Sequence, residues 1–184
     1  MGKFFAGLIV VLILIFGLGV SQYNTMVQLS TEVEEGMANI DSSLERRADL
    51  IPNLVNTVKG FAAHESGIFS EVTEARKALL SAKSIDEKAQ ANEALSGALG
   101  RLLAISENYP DLKSDKVYIG LMDELAGTEN RISYARDQYN SRVKKYNACI
   151  KGFPGSMFAS QFGYEPAVFF KADESKKAVP KVEF

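Results

Sequence analysis

The chain has one cysteine, one histidine and no tryptophan. One cysteine excludes a disulfide within the chain. One cysteine and one histidine together exclude a Cys/His zinc site with the usual three or four ligands. They also exclude a Ser-His-Asp or Cys-His catalytic machine unless His64 is its base. Basic residues are not in excess: 21 Lys and Arg stand against 23 Asp and Glu, a net charge of −2. No positive surplus is present to hold nucleic acid by counterion release, so no nucleic-acid partner is expected. Proline is scarce, and between residues 21 and 152 it occurs only at 52 and 110. Helices in that stretch can therefore be long.

What is present is globular in composition, with 46% hydrophobic and 24% charged residues over 184 positions. That size suits one domain with appendages and rules out a disordered chain. The distribution is uneven. Phe4 to Val20 reads FFAGLIVVLILIFGLGV, without a charge. As a helix it extends about 25 Å, near the lower limit for crossing a bilayer core. Lys3 precedes it, and Gly17 and Gly19 are small residues of the kind that precede signal cleavage. The run exceeds a usual signal core, however, and has no polar break, so an uncleaved signal anchor over residues 1–21 is expected. No Cys lies near position 20 to carry a lipid. Ala6 stands where N-myristoylation requires Ser or Thr. The first basic residue after the run is Arg46. The Lys and Arg balance thus favours the N-terminus in the cytoplasm and the body outside it, as a single-pass membrane protein.

The body reads as helices. Apolar residues recur at steps of three and four in four stripes. The first is Val33, Met37, Ile40, Leu44, Ile51, Leu54, Val58 and Phe61, with Arg47 on the seam. The second is Ile68, Val72, Ala75, Leu79 and Ala82. The third is Ala91, Leu95, Ala98, Leu102 and Ile105. The fourth runs from Val117 through Leu121, Leu125, Thr128, Ile132, Ala135, Tyr139, Val143 and Tyr146 to Ile150. Ser84 with Glu87 has the form of a capping box. Tyr109-Pro110 stops a helix, and Ser114 or Asp111 can cap the next. Helices are expected near 22–63, 65–82, 85–108 and 112–151, the first continuous with the apolar run and kinked at Pro52. The fold class is therefore all-α: a transmembrane helix, then an antiparallel four-helix bundle over 22–152. A three-helix bundle results if the chain only kinks at 83–84. An apolar strap over 153–170 and a charged, disordered tail over 171–184 complete the chain.

Three polar groupings interrupt the apolar pattern. They are RRADLIPNLV (46–55), ENYPDL (107–112) and the Tyr-Asn pairs at 23–24, 139–140 and 146–147. RRADLIPNLVNTVKGFAAHE (46–65), ENYPDLKSD (107–115), ARDQYNSRVKKYN (135–147) and FPGSMFASQFGYEP (153–166) fall where the LemA family of bacterial membrane-anchored proteins has its motifs. The chain resembles that family over nearly its whole length. The resemblance implies an antiparallel helical bundle outside the membrane. It implies no catalysis: relatives are linked to envelope stress, to a membrane zinc metallopeptidase encoded nearby, or to magnetosome membranes. One departure is Glu32, Glu34 and Glu35, where many members carry Lys or Arg.

Each grouping has a structural and a functional reading. Arg46, Arg47 and Asp49, with Pro52 and Asn53, could meet an acidic ligand or partner. Alternatively, one arginine is held by a carboxylate of another helix, such as Glu107 or Asp111 beside Tyr109 and Pro110, because a charge on a seam must be paired. Tyr139, Asn140, Tyr146 and Asn147 share one helix face. They form either a recognition face or interhelical bonds that fix register. His64-Glu65 lacks a second histidine four residues on, so no metal is expected. Cys149 reads as a small buried hydrophobe, and no cofactor is expected. Gly17 and Gly19 can let two spans approach. The strap, rich in Phe, is expected to contact the membrane or a neighbouring subunit rather than to close the core. The function read from the sequence is a non-enzymatic scaffold in the cell envelope that presents its bundle to protein partners: a second copy or a membrane peptidase. The alternative is a sensor or adaptor holding a small ligand between helices.

Overall fold

The computed structural model describes residues 2–171. Most of the charged tail expected over 171–184 lies outside the described residues. The helices are α1 (Gly2–Phe61), α2 (Ser66–Ser81), α3 (Ile85–Ser106), α4 (Pro110–Lys113), α5 (Lys116–Lys151) and α6 (Gly155–Phe162), and no strand occurs among the described residues. The chain divides into two compact units. The first comprises Met1–Ala38 and Gln138–Val168, and the second Asn39–Asp137 with the described residues from Phe169.

The second unit settles the choice at 83–84. Ala82 and Ser84 are both extended, and Ser84 caps α3. Its hydroxyl accepts from the Glu87 N–H at 3.2 Å, while the Glu87 carboxylate accepts from the N–H groups of Lys83 and Ser84 at 2.8 and 3.1 Å. Those two bonds hold the Glu87 carboxyl below the usual carboxylate range. The chain therefore reverses, and Glu71 of α2 pairs with Arg101 of α3. Helices two and three do not fuse, and the body has four long helices.

Bonds across this unit give their directions. Asp41 meets Lys88 and Arg47 meets Asn92, at sequence separations of 47 and 45, so α1 and α3 run parallel. Ser106 pairs with Tyr118 across the α3–α5 reversal at 2.8 Å. The buried residues follow the predicted stripes: Ile40, Leu44, Ile51, Leu54 and Val58 of α1, Ile68, Val72 and Leu79 of α2, Leu95 and Leu102 of α3, Leu125 and Ile132 of α5. The start of the fourth stripe is displaced by one residue. Val117 is exposed and Tyr118 buried, because the Tyr118 hydroxyl reaches Ser106. The cap of α5 is Asp115, which accepts from the Tyr118 N–H at 2.9 Å, not Ser114 or Asp111.

Pro52 sits inside α1. A proline has no N–H for the carbonyl four residues earlier, which here is that of Ala48. The Arg76 Nε of α2 donates to it at 2.7 Å. A side chain of the second helix thus replaces the backbone bond that proline removes.

In the first unit, α5 runs back along α1. Gln22 Nε2 donates to Cys149 Sγ at 3.2 Å, and Arg142 donates to the Glu32 carbonyl at 2.9 Å and pairs with Glu35 at 3.1 Å. The helices lie close together at Gly36, where a Cβ would stand 3.4 Å from the Tyr139 Cα. Met26, Tyr146, Ile150 and Ala159 form the core of this unit. Every large apolar side chain from Phe4 to Val20 is exposed.

Within the strap, Gly155–Phe162 forms α6, ended by Gly163 in the left-handed region (φ 75°). The Tyr164 N–H closes the turn on the Ala159 carbonyl at 2.9 Å. Gly155 is required where α6 begins, since a Cβ there would collide with the Cys149 carbonyl.

The Pro52–Arg76 substitution of one donor for another is testable in chemical unfolding of the detergent-solubilised chain. Arg76→Ala should cost about 1–3 kcal/mol by orphaning the Ala48 carbonyl. In a Pro52→Ala background the residue-52 N–H takes that carbonyl, and the same change should cost much less. Equal costs in both backgrounds would show that the bond contributes nothing.

Candidate functional site

Two polar arrangements are buried, one in each unit. In the second unit Arg47 is only 5% exposed. Its Nη1 donates to Asn92 Oδ1 at 2.8 Å and meets Glu129 Oε2 at 2.6 Å. Burial pushes the guanidinium below its usual pKa, and Glu129 pulls it back up. The partner is not the expected carboxylate of the 107–111 segment. Because α1 and α3 are parallel, position 47 lies level with 92, and 107 is about 22 Å further along the helix. Glu107 instead accepts from Lys113 at 2.6 Å, and Asp111 is exposed. Tyr109 donates to Glu65 at 3.5 Å, and Pro110 opens α4. Arg46, Asp49, Pro52 and Asn53 are all exposed.

Asn92, Glu129 and Arg76 escaped the sequence reading. Each had a signal: Asn92 follows the stripe residue Ala91, Glu129 follows Thr128 on the fourth stripe, and Pro52 required some donor. Beside Arg47 a cavity of about 260 Å³ is walled by Leu54, Leu99, Leu103, Met122 and Leu125. It is an apolar space with an arginine–carboxylate pair at one wall.

In the first unit the Tyr-Asn residues of α5 hold the chain that follows α6. The Tyr139 hydroxyl donates to the Val168 carbonyl at 2.8 Å, and the Tyr146 hydroxyl to the Glu165 carbonyl at 2.9 Å. Asn147 Nδ2 donates to the Ala167 carbonyl at 2.9 Å and its Oδ1 accepts the Ala167 N–H at 2.8 Å. Asn147 thus pairs with one residue of the strap as a neighbouring strand would. These side chains do not bridge helix to helix; they satisfy the backbone of an extended segment. Asn140 is half-buried. Burial raises the phenols of Tyr139 and Tyr146 above their ordinary pKa, and both remain donors. The part of the strap from Glu165 to Val168 is therefore held by α5. In the second unit Phe170 is buried, with the Arg136 guanidinium 5.2 Å from its ring centroid.

Neither arrangement resembles a catalytic centre. Among the described residues no three of His, Cys, Asp and Glu stand together as a metal site. His64 is exposed. Apart from the Nε atoms of Arg47 and Arg136, which have no hydrogen-bond partner, the buried polar groups of these two arrangements face one another or a backbone, which is a structural use of them.

Known proteins place the chain further. The LemA family model matches residues 36–184. Magnetosome protein MamQ of Magnetospirillum gryphiswaldense is 29% identical over 175 residues, covering 81% of this chain and 64% of that protein. Magnetosome protein MamQ 2 of Paramagnetospirillum magneticum is 28% identical over 176 residues, covering 82% and 65%. Protein LemA of Metamycoplasma hominis is 23% identical over 160 residues, covering 86% and 73%. The chain thus spans about two thirds of the length of the MamQ proteins that it matches.

Two outcomes follow. Glu129→Ala leaves the buried Arg47 charge without its counter-ion and should lower unfolding stability by about 2–3 kcal/mol. Arg47→Met, which removes the charge and fills the seam, should cost less. The reverse order in thermal or urea unfolding would show that the charge is not the governing term.

The strap bonds predict an alkaline effect. The folded phenols of Tyr139 and Tyr146 lie above their unfolded value of about 10. Their stabilisation is full below that pH and is lost as pH rises through the folded value. The melting temperature should therefore fall above about pH 10. A Tyr139→Phe/Tyr146→Phe variant should start lower, by about 1 kcal/mol per lost bond, and fall less steeply. Identical alkaline limbs would contradict this.

Proposed function

Because the chain belongs to the LemA family, we propose that it is a non-enzymatic, membrane-anchored scaffold that presents its helical body to protein partners in the bacterial cell envelope. The observation that carries this reading is the bare helix Phe4–Val20. An 18-residue window of this helix has a mean hydropathy of 2.8 with none of its residues buried, and the helix continues unbroken to Phe61. A helix of that length and composition is at home in hydrocarbon. The buried polar residues are occupied in holding helices and strap, which leaves the outer surface as the part available to partners. The magnetosome relatives support a role at a membrane. With Lys3 before the span and no Lys or Arg between residues 21 and 45, the body lies outside the cytoplasm. Its partners are a second copy or a membrane peptidase.

A second reading, a sensor or adaptor with a small ligand between helices, draws on the apolar cavity beside Arg47. Its occupant would be mostly apolar, since Glu129 already neutralises the arginine.

Single cysteines at exposed Ser81, Ser114 or Ser141, placed in a Cys149→Ala chain, test side and partner together. A membrane-impermeant maleimide carrying a photocrosslinker should label them in intact cells, or in spheroplasts where an outer membrane exists. Illumination should give adducts of fixed mass above the monomer. Labelling only after lysis would reverse the orientation. Labelling without adducts at any of the sites would overturn the scaffold reading.

A further inference from the structure

The first unit carries an apolar surface at one end, and its position identifies what covers it. The Phe158 ring of α6 packs on Gly19, where a Cβ would meet it at 3.4 Å. The Tyr23 ring lies 5.0 Å from that of Phe162 and 6.4 Å from that of Tyr164, both edge-on. Gly19 and Tyr23 bracket Val20, where the apolar run ends. The helix α6 is therefore level with the end of the span.

The side chains around α6 suit that level. Gly152 to Tyr164 contains no charged residue. Phe153, Met157 and Phe162 are 84%, 64% and 48% exposed, whereas Gly155 and Ala159 of the same segment are buried. In water such a patch is unfavourable. At the boundary of a bilayer the same residues insert beside the headgroups, as an interfacial helix does. Tyr23 and Tyr164 occupy the depth that tyrosines favour in membrane proteins. The charges agree. Phe4 to Thr31 has no Asp, Glu, Lys or Arg, a helix of about 40 Å, comparable to a bilayer with its headgroups. The exposed charges nearest α6 in sequence on α5 are basic: Lys144, Lys145 and Lys151. They can meet anionic headgroups.

We propose that α6 is an interfacial membrane helix: Phe153, Met157 and Phe162 insert into the headgroup–acyl boundary of the same bilayer that the span crosses, and Lys151 faces anionic lipid. The proposal rests on the reading that Phe4–Val20 crosses a membrane. It goes beyond that reading by giving the unit a second, lateral attachment that fixes its orientation on the bilayer surface. The occupant is a phospholipid bilayer and not a second copy.

The test uses the full-length Cys149→Ala chain in vesicles of phosphatidylethanolamine with phosphatidylglycerol. An environment-sensitive fluorophore is attached at Leu12→Cys, Met157→Cys or Lys77→Cys, in separate preparations. The Leu12 probe should be quenched by lipids brominated deep in the chain. The Met157 probe should be quenched by lipids labelled near the headgroup, shift its emission to the blue and resist aqueous iodide. The Lys77 probe should be quenched by iodide alone. If Leu12 reports lipid while Met157 is open to iodide, α6 is not interfacial and the anchor stands. If neither reports lipid, the anchor reading fails and the proposal with it. If Met157 resists both quenchers and crosslinks to another copy, a subunit covers the patch and the proposal is overturned. A further variant, Met157→Asp with the probe at Ser160→Cys, should lose lipid quenching at Ser160 while the helix content by circular dichroism is kept. Unchanged quenching at Ser160 would also count against insertion.

Discussion

A guanidinium cannot stay charged in an apolar seam without a partner, and the second unit is arranged around that requirement. Arg47 takes Asn92 from α3 and Glu129 from α5. Leu and Ile side chains can slide past one another by a turn at modest cost, whereas a buried charge has one place to go. The triad therefore selects one register for α1 against two other helices. Asp41 with Lys88 and Ser106 with Tyr118 agree with that register at other levels of the unit. A polar group of this kind adds less to stability than to the uniqueness of the packing.

The same accounting applies to the backbone. Proline within α1 frees a carbonyl, and Arg76 takes it. An extended strap leaves N–H and C=O groups that no helix can use, and Tyr139, Tyr146 and Asn147 take those. Buried polar groups left without partners would cost more than these side chains cost to order. Arg47, Tyr139, Tyr146 and Asn147, which stand out in the sequence as candidates for recognition, each have a structural use within the chain.

This bears on what can be read from a sequence. The stripes were legible because burial repeats with the helical period, and the reversal at 84 was legible because a capping box is local. The fold class, the capping box and the burial of Arg47 all depend on signals of that sort. The partner of Arg47 was not legible. It depends on which residues of α3 and α5 stand level with position 47, and periodicity within one helix does not carry its register against another. The placement of the Tyr-Asn residues failed for a related reason. Their spacing shows a shared face but not whether that face meets a helix or an extended segment. The helix within the strap was not legible because it is only eight residues long, too short for its apolar residues to show a period, although Gly155 starts it and Gly163 caps it.

The distribution of polar groups in the first unit also limits what its surface can be. Tyr139, Tyr146 and Asn147 are turned inward to the strap, Arg142 is held by α1, and Gln22 is held by Cys149. Near the end of the apolar run the exposed polar groups of α6 are uncharged (Ser156, Ser160 and Gln161), and Phe153 and Met157 face outward beside them. A soluble domain of this size could turn these residues inward or replace them. Their exposure has a physical rationale where the surrounding medium is not water. A bilayer crossed by Phe4–Val20 would supply that medium at the level of α6, given the contact of Phe158 with Gly19. An apolar surface and an apolar helix that meet at one boundary are most simply satisfied by one bilayer.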